Sequence, residues 1–191
     1  MKKLHPTLWR TCRILSGPTR LALLRAVISS PAQSVGGLAA QLHLSIPRAS
    51  QELRRLQSRG LIQASRRGMN VLYRPVPDRL VSTAPPLLQA MQEAFLHFAP
   101  TEDGQTVQIA TAFSHARRLL IIRLLLFGPA RTRVLEEMSG MSRDALNRHL
   151  RKLRDAGLIR REGRKIQLVE PSHPLARSLL EILKDSPAIP A

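Results

Sequence analysis

Apolar positions fall at helical spacing in two separated stretches of the chain, and the two stretches follow the same order. Trp9, Cys12 and Leu15 are spaced for one helix face, and Leu21, Leu24 and Val27 for a second. Val107, Ala110 and Phe113, then Leu119, Ile122 and Leu125, repeat both patterns. Prolines at 31 and 129 end the second helix of each stretch. A short helix is predicted over Val35–Leu42 and again over Val134–Met138. Ser45 and Ser142 stand where an N-cap hydroxyl can accept from the orphan amides of a fourth helix, and Pro47 sits in its first turn. Gly60 and Gly157 follow as left-handed C-caps. Leu61-Ile62 and Leu158-Ile159 then open a strand, Gly68 and Gly163 turn it, and Val71–Tyr73 and Ile166–Leu168 return. Closing helices are predicted over Leu87–Phe98 and Leu175–Leu183.

The correspondence is literal in one decamer. L-R-R-L-Q-S-R-G-L-I begins at Leu53 and L-R-K-L-R-D-A-G-L-I at Leu150, and one residue drops out of the second copy before Leu38 pairs with Leu135. The chain therefore reads as a tandem duplication. The expected fold is mainly α with small β-hairpin wings: two tandem winged helix–turn–helix domains, residues 1–100 and 106–191. Residues 101–105 form the linker, inside A-P-T-E-D-G.

Charge narrows the partner. Over 191 residues the formal net charge is +17, with a sequence pI near 11.8. Residues 1–100 carry 14 Lys and Arg against 3 Asp and Glu, and the remainder 16 against 10, so both copies are basic. Phosphate neutralisation with counterion release makes double-stranded DNA the expected partner. Membrane is not expected, since no apolar run approaches the roughly 18 residues of a span. Lys2 and Lys3 resemble the start of a signal peptide, but Arg10 and Arg13 interrupt an apolar segment. The acid-poor stretch before Glu52 resembles a transit peptide, yet it lies inside the first repeat. Cys12 is the single cysteine, which excludes an intrachain disulfide and fits a cytoplasmic, nucleoid-associated protein. Its repeat partner is Ala110, so an inert core thiol is expected. With no spaced metal-ligand set, nucleophile–base pair or phosphate-cradling glycine loop, neither cofactor nor enzymatic activity is expected.

I-L-S-G-P-T-R-L-A-L-L in copy one, with A-F-S-H-A-R-R-L-L-I-I-R-L-L and L-N-R-H-L-R-K-L-R-D-A-G-L-I-R-R-E-G-R in copy two, resembles the ArsR-type winged helix–turn–helix regulators of prokaryotes. The resemblance implies transcriptional regulation, a DNA operator and dimerisation through terminal helices. Metal-sensing members often carry a cysteine pair on the first helix of the motif, where this chain has V-G-G-L-A-A-Q-L and V-L-E-E-M-S-G-M. Two copies in one chain leave two states open, a monomer acting as a pseudo-dimer and a homodimer.

On the fourth helix, Ala49, Leu53 and Leu56 form the buried stripe, which turns Pro47, Gln51 and Arg54 outward with Arg48 and Arg55 beside them. Asp144, Arg148 and Arg151 are the equivalents, flanked by Ala145 and Lys152. Such a helix enters the major groove with its N-terminal half at base edges. Arg48 and Arg148 suit guanine and Gln51 suits adenine, whereas Arg54, Arg55, Arg151 and Lys152 suit phosphates. Ser45, Ser142 and Arg143 complete the helix starts, and Arg66, Arg67, Arg161, Arg164 and Lys165 arm the wings. Asp144 is read as a helix-start stabiliser, His149 as a helix-surface group bonding within the domain, and His43 as a turn residue in the place of Gly140. The leading function is a sequence-specific regulator, a repressor; the alternatives are a tandem winged-helix protein scaffold and a replication or nucleoid protein.

Overall fold

The computed structural model describes residues 8–185; Lys2, Lys3 and the outermost ends of the two domain ranges lie outside the described residues. Copy one comprises α1 (Leu8–Leu15), α2 (Pro18–Ser29), β1 (Gln33–Ser34), α3 (Val35–Gln41), α4 (Ile46–Gln57), β2 (Gln63–Arg67), β3 (Asn70–Arg74) and α5 (Ala84–His97). Copy two repeats the series as α6 (Asp103–Phe113), α7 (Ala116–Leu126), β4 (Ala130–Arg131), α8 (Thr132–Ser139), α9 (Arg143–Asp155), β5 (Ile159–Glu162), β6 (Lys165–Leu168) and α10 (Pro174–Asp185). The expected mainly α fold with two winged helix–turn–helix units is thus present.

Each wing is a three-stranded antiparallel sheet, ordered β1-β3-β2 and β4-β6-β5. The outer two-residue strands were not expected. They pair Gln33 with Tyr73 and Ala130 with Ile166, which ties the start of the helix–turn–helix to its wing. A two-residue strand is too short to show an alternating pattern. The fourth helix of each copy, α4 or α9, is capped as the serines predict: Ser45 Oγ accepts from the Arg48 amide and Ser142 Oγ from the Ala145 amide. His43 and Gly140 both adopt positive φ, 53° and 63°, the left-handed turn expected between the two helices of each motif. Gly60 is fixed twice over, by φ of 71° and by Asp78, whose Cβ would lie 2.9 Å from an added Cβ.

Like packs on like between the copies, as across a two-fold axis: α1 lies against α6, and α5 against α10. Leu8, Cys12 and Leu15 thereby share one continuous core with Ile109, Ala110 and Phe113. Polar ties reinforce the join. Arg25 of α2 donates from Nε to Asp103 at 3.1 Å and from Nη1 to the Phe95 carbonyl at 3.3 Å, with its guanidinium 4.0 Å over the Phe95 ring. A second Arg25–Asp103 hydrogen bond makes this a two-pronged pair. His173 stacks on Phe98 at 4.8 Å and shares a hydrogen bond with Thr106. The stretch between the copies is itself ordered, with a single 3-10 turn at Pro100–Glu102 running directly into α6. Among the described residues, no helix is long and apolar enough to cross a membrane.

Candidate nucleic-acid interface

The amphipathic pattern of α4 resolves as two faces. Ala49, Leu53 and Leu56 are fully buried, and the opposite side forms an open hollow lined by Pro47, Arg48, Ser50, Gln51, Arg54, Arg55 and Ser58. On α9, Leu146, Leu150 and Leu153 take the inner stripe, while Arg148, Arg151 and Lys152 are exposed. All fifteen residues singled out from the sequence lie on the exposed surface: Ser45, Arg48, Gln51, Arg54 and Arg55 on α4 and its cap; Ser142, Arg143, Arg148, Arg151 and Lys152 on α9 and its cap; Arg66, Arg67, Arg161, Arg164 and Lys165 on the wings. The wing cations divide by strand geometry. Arg66 and Arg67 are neighbours on β2 and project to opposite sheet faces, whereas Arg164 occupies the tip between β5 and β6.

These cations are not equally free. Arg48 donates to Thr19 Oγ1 at 3.3 Å, which links the start of α4 to the start of α2. Arg55 donates to Glu52 at 2.8 Å, and Arg143 reaches back to Glu136 on α8 at 2.9 and 3.4 Å. Arg143 is therefore engaged with a carboxylate that the sequence pattern did not connect to it. Asp144 stands in the first turn of α9, where a negative charge meets the helix dipole favourably.

Beneath α4 and α9 lies a pair of polar clusters that the hydrophobic pattern does not show. Arg20 donates to the Ile14 carbonyl at 2.6 Å and to Glu52 at 2.9 Å, so Glu52 is held by two arginines. Burial opposes ionisation of Glu52, but the hydrogen bonds from Arg20 and Arg55 outweigh it and hold its carboxyl below the ordinary value. In copy two the equivalent arginine, Arg118, makes the matching backbone bonds to Ala112 at 2.8 Å and Thr111 at 2.6 Å. Its carboxylate is gone, because His149 stands in the place of Glu52. His149 is half-buried against His115, with ring centroids 4.8 Å apart. Burial, then the charges of His115, Arg118, Arg117 and Arg148, bring His149 down to about 4. The signal in the sequence is the repeat register, which pairs Arg20 with Arg118 and Glu52 with His149.

The comparisons with known proteins agree with this architecture. The model of the bacterial regulatory protein, ArsR family, matches the chain twice, over residues 17–64 and 115–161. Each match runs from the start of the second helix of a copy through its reading helix into the wing. No curated protein matches the chain significantly. The chain belongs to the ArsR family of bacterial regulatory proteins, as a DNA-binding transcriptional regulator that carries the family's winged helix–turn–helix domain twice in tandem.

Proposed function

We propose that one chain acts as a covalent pseudo-dimer, a repressor that grips two unequal half-sites of a double-stranded operator with α4 and α9. The observation that carries this reading is the like-on-like packing of α1 with α6 and α5 with α10, which pairs two exposed basic helices within one polypeptide. The two copies are the two DNA-binding domains, with α6 beginning at Asp103 inside the expected 101–105 linker, and the site of action is the cytoplasmic nucleoid. Tethering fixes the effective concentration of the second domain, so the second half-site is engaged without a second chain. Arg48 and Gln51 read one half-site and Arg148 the other, at a spacing of about one helical turn of DNA. Arg54, Arg55, Arg151 and Lys152 hold phosphates, as do Arg66, Arg67, Arg161, Arg164 and Lys165 on the wings. Ser45 and Ser142 fix the helix starts at the groove. Arg143, at the start of α9, pairs with Glu136 while its side chain stays exposed.

Binding-site selection with the full chain tests the proposal. It should return two half-sites of different sequence. Arg148→Ala should relax one of them and cost about 1–3 kcal/mol, leaving the other half-site unchanged. A symmetric palindrome, or a uniform loss on every sequence, would overturn the assignment.

A further inference from the structure

Comparison of the two copies points to an oxyanion site outside the reading surface. A cleft of about 540 Å³ lies where α1 meets the turn between α6 and α7, lined by Trp9, Arg13, Ser114, His115, Ala116 and Arg118. In copy one the fork of Arg20 is neutralised from within by Glu52. In copy two Arg118 is only 9% exposed and pairs with no carboxylate among the described residues. Its bonds go to two carbonyls and to Ser114 Oγ, all neutral acceptors. A buried guanidinium without a counter-charge is costly, and a bound anion relieves that cost. The surroundings add to the demand. His115 Nδ1 accepts from the Arg117 amide at 3.1 Å, which places the ring hydrogen of the neutral imidazole on Nε2. Arg117 bears electrostatically on both imidazoles and Arg148 on that of His149, and Arg13 stands where the repeat has Thr111. Duplication produced two equivalent places, one closed by its own carboxylate and one left open.

We propose that this cleft binds a phosphate oxyanion, received by Arg118, Arg13 and the His115 Nε2–H. The phosphate is that of a free phosphate or phosphate monoester, or a backbone phosphate of bound DNA. The first arm of the test uses DNA-free protein and does not depend on the repressor reading.

Inorganic phosphate is titrated calorimetrically into the full chain against chloride at matched ionic strength. A saturable phosphate-specific site is expected. His149→Glu, which restores the carboxylate found in copy one, should weaken phosphate binding roughly tenfold or more, while raising thermal stability without phosphate. Arg13→Thr, an exposed change to the repeat residue, should weaken binding several-fold with the fold intact, and serves if His149→Glu does not fold. No response beyond chloride, or full binding in the variants, overturns the proposal. Titration into the DNA-saturated chain then separates the sources. Retained binding assigns the site to a free phosphate species, and lost binding assigns it to the DNA backbone.

Discussion

Glu52→Ala removes the carboxylate that two arginines share beneath the first reading helix. The side chain of Glu52 is 11% exposed, with Arg20 at 19% and Arg55 at 44%. Breaking a fully buried pair costs about 3–5 kcal/mol, and an exposed pair contributes about 0–1. The Arg55 branch belongs near the exposed limit. The Arg20 branch lies between the limits, because Arg20 keeps the Ile14 carbonyl at 2.6 Å and the Arg13 carbonyl at 3.3 Å. The expected loss is about 2–3 kcal/mol, or on the order of 4–12 °C in Tm for a chain of this size. Urea denaturation followed by circular dichroism measures it. The loss should also depend on pH with a definite sign. The folded carboxyl titrates below its ordinary value, so its stabilisation is complete above the unfolded carboxylate range and fades as pH falls through the folded value. Wild type and variant should therefore converge in acid. A cost below about 0.5 kcal/mol at neutral pH, or one that grows in acid, would refute the reasoning.

Three further outcomes follow from the same geometry. His149 titrates at about 4, so stability should fall as pH drops from the unfolded imidazole range near about 6.5 towards that value, and His149→Gln should flatten this slope in phosphate-free buffer. An unchanged slope in the variant would place the acid sensitivity elsewhere. Cys12 is fully buried and its thiol is pushed far above the ordinary range, so maleimide labelling of native protein should wait on unfolding; rapid labelling would contradict the shared core. Phe113→Ala should cost about 3–5 kcal/mol and lower a single transition spanning both copies, whereas two separable transitions would show independent cores.

The scaffold of each repeat was legible because local chemistry specifies it. Ser45 and Ser142 cap, Gly60 and Gly157 stop, and His43 and Gly140 take the same left-handed turn despite sharing no side-chain chemistry. Strand starts were less legible: Leu61 and Ile62 were expected inside the strand but are buried just ahead of β2, which begins at Gln63. Hydrophobic spacing marks a buried face without naming what covers it. The periodicity of Trp9, Cys12 and Leu15 therefore did not show that their neighbours would be Ala110 and Phe113 of the other copy. Charged pairs were hidden for a similar reason. Arg20 and Glu52 are thirty-two residues apart, and Arg143 and Glu136 belong to different helices. The outward arginines were legible as a surface, but which of them is free is decided by such tertiary partners.

The most direct test of the central claim is the salt dependence of binding to a selected operator and to each isolated half-site, with chain stoichiometry determined in the same titrations. Each phosphate neutralised contributes about −0.9 to the slope of log K against log salt. One chain per operator is expected, with a slope for the whole site close to the sum of the two half-site slopes. Two chains per operator, or a slope no steeper on the whole site than on one half, would contradict a single chain acting as its own dimer.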